Sequence, residues 1–112
     1  MLKEMLARWG RKTPAVYAGL CTAKADGSNA KYRAGERRTI MVMVNTTESA
    51  VETSMTELLH AQGWSEVTVL EQQLLEVPFF SKDRAVSGCY VSAVTSDGGL
   101  IVYDDDVEGH DA

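Results

Sequence analysis

The stretch that decides the fold is residues 37–63, which read RRTIMVMVNTTESAVETSMTELLHAQG. Thr39 to Val44 is a run of β-branched and apolar residues without a polar residue at alternate positions after Thr39. A strand with one face in water alternates polar and apolar residues, so this continuous run predicts a strand covered on both faces. We therefore expect it to lie inside a sheet rather than at an edge.

An amphipathic helix is predicted directly after this strand. It is expected to begin near Thr47 and to end at Gly63, because glycine readily adopts the left-handed conformation found just past a helix end. Apolar residues at helical spacing form one stripe, made of Val51, Met55, Leu58 and Leu59. Trp64, which follows the helix, is expected to pack back on Leu59. The stripe predicts that this helix covers one face of the sheet.

The rest of the chain predicts a single α+β domain over residues 1–112, with a short N-terminal helix at 1–10 and an acidic, flexible tail at 104–112. The other predicted strands run from Val16 to Lys24, from Ala30 to Arg33 into the main strand, from Glu66 to Glu71, from Gly88 to Thr95 and from Leu100 to Tyr103. Asp97-Gly98 predicts a hairpin turn between the last two. The expected order is α-β-β-α-β-β-β, a single mostly antiparallel sheet with one main helix packed on one face. A ferredoxin-like topology is one candidate.

Two apolar features are candidate interfaces with another protein. The N-terminal segment carries an i, i+3, i+4, i+7 stripe, made of Leu2, Met5, Leu6 and Trp9. A helix of two turns is marginal in isolation, so it must dock on its own domain or on a second chain. Phe79 and Phe80 follow Pro78, where regular structure ends, and form either a core plug or an exposed patch.

Composition is that of a globular protein, with 45% apolar and 24% charged residues. The longest apolar run is too short to span a membrane, and residues 1–12 lack the apolar core of a signal peptide, so we expect no membrane association and a cytoplasmic location. Cys21 and Cys89 lie too far apart for a zinc or dithiol motif. We expect two reduced, buried thiols, although a disulfide between neighbouring strands is geometrically open.

The net charge of −5 conceals an uneven distribution. Residues 1–38 hold nine Lys and Arg against three acidic residues, whereas residues 39–112 hold two against thirteen. Three interpretations compete. The two parts interleave in space, or they pair between copies of the chain, or a basic hairpin contacts phosphates. The last would use Lys24, Lys31, Arg33, Arg37 and Arg38. Overall acidity weighs against nucleic acid.

Few residues suggest catalysis. A ligand site between sheet and helix would use His60, Cys89 and Tyr90, although His60 falls opposite Val51 on the helical wheel and is expected to face water. Asp104 to Asp106 and His110 carry metal-binding groups, but consecutive residues of a strand point to alternate faces, so we expect neither metal nor cofactor.

The preferred hypothesis is a protein-binding or self-associating domain without catalytic activity, whose partner is another protein, a second copy of the chain in a homodimer, or both. The alternatives are a small enzyme or ligand-binding sensor, an acidic inhibitor or immunity-type protein of a basic toxin, and nucleic-acid contact through the basic hairpin.

Overall fold

The protein is built on a four-stranded antiparallel sheet with a helix on each face, an α+β fold. A computed structural model describes residues 15–76 and 79–106. The strands are β1 (Val16–Ala25), β2 (Arg37–Asn45), β3 (Trp64–Leu74) and β4 (Gly99–Asp106), and the helices are α1 (Val51–Ala61), which follows the short 3-10 turn Glu48–Ala50, and α2 (Arg84–Thr95). The strand order is β3-β1-β2-β4, with every neighbouring pair antiparallel.

Strand β2 lies inside the sheet, between β1 and β4, as its apolar run predicts. Ile40 and Val42 are buried in the core beneath α1, whereas Met43 is buried with Cys89 and Ala93 in a second core beneath α2. Alternate side chains of a strand point to opposite faces, and here each face has its own core. The absence of polar alternation in β2 follows from this double cover.

Helix α1 covers the first face of the sheet. Its predicted stripe is confirmed, because Val51, Met55 and Leu59 are buried and Leu58 is partly buried against the same core. Burying a side chain of this size contributes about 1.5–3 kcal/mol relative to exposure. The helix approaches β1 closely at Gly19, where an added Cβ would lie 2.5 Å from Sδ of Met55.

The end of α1 is tied to the loop between β1 and β2. Gly63 has φ of +90°, the left-handed conformation predicted for it. Its carbonyl oxygen accepts hydrogen bonds from the amide of Asp26 (2.9 Å) and from Nδ2 of Asn29 (3.1 Å). Trp64 is 2% exposed and lies in the same core as Leu59. The loop is thereby fixed against the junction of α1 and β3.

The segment Gly88 to Thr95, predicted as a strand, belongs to helix α2. The helix begins after Asp83, whose Oδ1 accepts hydrogen bonds from the amides of Ala85 (2.8 Å) and Val86 (3.1 Å). The residues predicted as a hairpin turn, 96–98, connect α2 to β4 instead. This cap satisfies two amides that a helix leaves without intrahelical partners, and so favours helix over strand at this point.

Over the described residues the order is therefore β-β-α-β-α-β, which differs from the predicted order. The ferredoxin-like topology is not confirmed. In this sheet the first two strands form the central hairpin, and the two helices pack on opposite faces. The N-terminal helix predicted at 1–10 lies outside the described residues.

The ends of the sheet extend further than the sequence indicates. The first hairpin pairs Val16 with Asn45 and Lys24 with Arg37, close to the predicted strand. Strand β4 continues to Asp106, so the first three residues of the predicted tail belong to the sheet, and residues 107–112 lie outside the described part. Neither helix in the described ranges has the length and apolar character needed to cross a membrane.

Candidate interaction surfaces

The candidate ligand-site residues are divided between the two faces of the sheet. His60 is exposed in the last turn of α1. Cys89 is buried beneath α2, and Tyr90 packs on Phe79 with ring centroids 5.4 Å apart. Because α1 and α2 cover opposite faces, the sheet lies between His60 and the other two residues. The fold does not bring these three side chains together.

The two cysteines lack the surroundings of reactive thiols. Cys21 is buried beneath α1 and Cys89 beneath α2, and neither forms a disulfide. Burial raises the pKa of each thiol to about 11, an effect that a backbone hydrogen bond at Met43 partly offsets for Cys89. Only the thiolate is a nucleophile or metal ligand, so neither is activated at neutral pH. Their positions on opposite faces also separate them from each other.

No metal site is formed by the part of the chain that the structure describes, where no group of three or more His, Cys, Asp or Glu side chains could hold an ion. A depression beside His60 is open to solvent and lined by the polar outer side of α1, at Glu52, Thr53, Thr56 and Glu57. His110 lies outside the described residues.

Two of the candidate phosphate contacts are engaged in ion pairs with one acidic residue of β3. Lys24 and Arg37 both pair with Glu66, with 2.6 Å between Nη2 of Arg37 and Oε1 of Glu66. The hydrogen bonds from Lys24 and then Arg37 lower the pKa of the Glu66 carboxyl. Here basic residues from the first part of the chain meet an acidic residue from the second, as the interleaving interpretation of the charge distribution expects.

The other basic residues surround Tyr32. The guanidinium carbon of Arg38 lies 5.4 Å from the centroid of the Tyr32 ring, and Nζ of Lys31 lies 5.7 Å from the same centroid. Arg38 also pairs with Glu36 at 2.7 Å. Arg33 is exposed. Most of this basic cluster is therefore used in contacts within the chain.

The two phenylalanines have different surroundings. Phe79 is partly buried in the core beneath α2 and packs on Tyr90, so it serves as a plug. Phe80 is 85% exposed, so it forms the patch. The remaining interface candidates lie outside the described residues: Leu2, Met5, Leu6 and Trp9.

A surface that the sequence did not indicate is the outer side of α2. We call it the outer α2 surface; it consists of Ala85, Gly88, Val91, Val94 and Thr95, all exposed, with Phe80 four residues before the helix. Between Arg84 and Asp97 the chain contains no charged residue. Surface helices of globular proteins normally carry charged or polar residues on the side that faces water. The outer side of this helix carries no charge after Arg84, and it exposes two valines.

A second unexpected surface is part of the sheet itself. We call it the open sheet half; its floor is formed by Leu20, Thr22, Thr39, Met41 and Tyr103, with Glu71 at its border on β3. Helix α2 packs on the same face, but over the end of the sheet where β1 begins, at Val16, Ala18 and Met43, and Met41 lies at the boundary because it also packs against this core. The other end of this face carries no element of the described chain.

The sequence does not predict the two surfaces, for different reasons. The outer α2 surface is not predicted because the pattern of residues 88–95 favours a strand; Asp83, a helix-capping residue, is the local signal that indicates a helix there. The open sheet half depends on where α2 crosses the sheet, which no local pattern records. Comparison with models of protein families, with curated proteins and with solved structures found no match.

Proposed function

We propose that this chain is a protein-binding domain without catalytic activity, and that it forms a homodimer through the outer α2 surface. The observation that carries the proposal is an exposed helix side without charge after Arg84, at which Val91 is 55% and Val94 37% exposed; Phe80, four residues before the helix, is 85% exposed. Contiguous exposed apolar patches on monomers are uncommon and mark interaction sites.

Gly88 lies in the middle of this surface and supports the same conclusion. Glycine inside a helix costs about 1 kcal/mol relative to alanine. Apart from the adjoining helix backbone, no atom of the described residues lies within 4 Å of where a Cβ would stand at Gly88, so nothing in that part of the chain requires its absence. A second helix packed on the outer side would require it, because small residues let two helix backbones approach closely.

A second copy of the chain fits this surface by symmetry. If two α2 helices cross antiparallel about Val91, Gly88 of one lies opposite Val94 of the other, since both are three residues from the axis. The same arrangement brings Arg84 near Asp97 of the partner, because these residues lie at nearly equal distances on either side of Val91. A two-fold contact pairs one surface with itself, and here that pairing is complementary in both size and charge.

The test is the molar mass in solution of the unmodified chain and of two matched variants. Val91→Glu places a carboxylate in the outer α2 surface, and Leu70→Glu makes the same kind of change at a β3 residue of nearly equal exposure, 56% against 55%. We expect twice the chain mass of 12.2 kDa for the unmodified chain and for Leu70→Glu, and the monomer for Val91→Glu. Circular dichroism checks that each variant is folded.

Two results would refute the proposal. One is a monomer at every concentration and salt strength, and the other is equal dissociation by both variants. Exchanging charges tests the proposed two-fold arrangement. Arg84→Glu and Asp97→Arg are each expected to weaken association at low salt, and the double variant is expected to restore it. Because the contact is mainly apolar, the unmodified dimer is expected to persist in high salt, where a contact between the basic and acidic parts would be screened.

A further inference from the structure

We infer that the sheet carries a binding site for a small organic cation, a primary amine attached to an aromatic or other apolar body. The site is an open trough of about 260 Å³ on the face that α2 covers only in part. We call it the sheet trough; its side chains are those of Ala18, Leu20, Met41, Glu71, Gln73 and Tyr103. The outer α2 surface is not part of it, so the site does not depend on the dimer.

A β-bulge in β3 brings an acidic side chain into the sheet trough. Cys21 of β1 pairs with Val69, but Leu20 beside it pairs with Glu71, so Leu70 is an extra residue in β3. Without the extra residue Glu71 would lie on the α1 side with Val69, because alternate residues of a strand point to the same face. The bulge moves Glu71 to the other face, beside Leu20. Bulges commonly re-aim a side chain next to a functional site.

The floor of the sheet trough is apolar and belongs to the two central strands. Leu20 pairs directly with Met41, so both side chains lie on one face. Met41 and Ala18 bound the floor toward α2, because they also pack against the core beneath that helix. Gln73 pairs with Ala18 and therefore projects from β3 on the same face.

Longer side chains from the two edge strands bound this floor. Glu71 and Gln73 belong to β3, whereas Tyr103 belongs to β4 and is 43% exposed. Three strand spacings, about 14 Å, separate β3 from β4. An elongated molecule that lies across the strands would therefore extend from the carboxylate toward the tyrosine ring. An apolar floor with a few polar groups at its border is typical of small-molecule sites.

The charge of the sheet trough favours a cation. Among the described residues that line it, Glu71 is the one charged residue. Its carboxylate and the amide of Gln73 have no hydrogen-bond or ion-pair partner in the described part of the chain, whereas Glu66 of the same strand is held in two ion pairs. An ammonium group would bind the Glu71 carboxylate, and an aromatic body would pack on Leu20 and Tyr103.

The test is a titration of the full chain with phenylpropylamine, phenylpropanol and phenylpropionate, which share one carbon skeleton, followed by NMR of the methyl groups. We expect the amine to shift the methyl signals of Leu20 and Met41 saturably, the alcohol to bind more weakly, and the carboxylate to bind most weakly. The methyl signal of Met55, buried beneath α1 on the other face, should not move and serves as the reference. Glu71→Gln should weaken binding of the amine about two- to fivefold, as expected for an exposed ion pair, and leave binding of the alcohol unchanged.

Glu57→Gln is the matched control, because it removes the same charge from the exposed side of α1, on the other face of the sheet. This variant should bind the amine and the alcohol as the unmodified chain does. All titrations are repeated in the Val91→Glu background, so that failure of the proposed dimer does not affect the result. Three results would each overturn the inference: no saturable shift of the Leu20 and Met41 signals with any compound, equal affinity for amine and alcohol, or a preference for the amine that survives in Glu71→Gln.

Discussion

Substitution of three glycines by alanine gives the sharpest prediction about what holds the β1–β2 loop in place. Gly63 has φ of +90°, and a Cβ there would lie 2.5 Å from Cα and 2.7 Å from the backbone nitrogen of Asn29. Gly35 has nearly the same conformation, φ of +96°, but apart from its two chain neighbours no atom of the described residues lies within 4 Å of the added Cβ. Gly27 has neither a positive φ nor a close neighbour. The series separates backbone strain from steric clash.

The expected losses follow from these differences. An L-residue in the left-handed region costs about 1–2 kcal/mol, so Gly35→Ala should lower the free energy of unfolding by that amount. Gly63→Ala has the same cost, and its Cβ also overlaps the backbone of Asn29, which cannot rotate away as a side chain could. We expect this overlap to lower the free energy of unfolding by about a further 1–3 kcal/mol. Gly27→Ala should be neutral or slightly stabilising, because alanine restricts the unfolded chain.

Urea denaturation of the three variants measures these free energies, with thermal melting as a second readout. In a domain of this size 1 kcal/mol corresponds to about 4 °C in Tm. The reasoning is refuted if Gly63→Ala and Gly35→Ala lose the same stability, since the contact between Gly63 and Asn29 would then contribute nothing. It is also refuted if Gly27→Ala is as destabilising as Gly35→Ala, because the loss could not come from φ.

Four further predictions concern Glu66, Asp83 and the cysteines. Glu66 has φ of +50°, so Glu66→Gly should be more stable than Glu66→Ala in urea denaturation, although both lose the same ion pairs. Because the pKa of Glu66 is lowered in the folded chain, its ion pairs stabilise the fold fully above the ordinary pKa of 4.5, and this stabilisation is lost as pH falls through the lowered pKa. Glu66→Gln should therefore lose less stability on acidification than the unmodified chain. Asp83→Ala should lower the free energy of unfolding by about 0.5–2 kcal/mol, whereas Asp83→Asn, which keeps an acceptor, should lose less. Cys21 and Cys89 should react with a thiol reagent at pH 8 only as fast as the chain opens, and rapidly in denaturant; rapid reaction of the folded chain would contradict their burial and raised pKa.

The centre of the fold was predictable because several local signals agree there. In β2 the apolar run without alternation requires cover on both faces, and only an inner strand provides it. In α1 the stripe, the helix start and Gly63 all indicate the same boundaries within a few residues. Burial of Met55 and Leu59 against β1 and β2 then follows, since no other apolar surface of similar size is close in sequence.

The order of the strands was not predictable in this way. Strand β3 pairs with β1 rather than with β2, and β4 pairs with β2, so both contacts join segments that are distant in sequence. Register in such pairs is set by side chains that meet only in the folded chain. The ion pair of Lys24 with Glu66 across β1 and β3 is one such contact, and neither residue is distinguished in its local sequence.

The error at α2 and the proposed interface have the same physical origin. Periodicity identifies a helix when its outer side is polar, and in α2 the outer positions Gly88, Val91 and Val94 are as apolar as the inner ones. β-branched and aromatic residues then favoured a strand. A lone monomer gains nothing from an apolar outer side, whereas a helix enclosed between its own sheet and a second copy of the chain does. Val91→Glu, which is expected to abolish the dimer, would at the same time give α2 the polar outer side by which a surface helix is recognised.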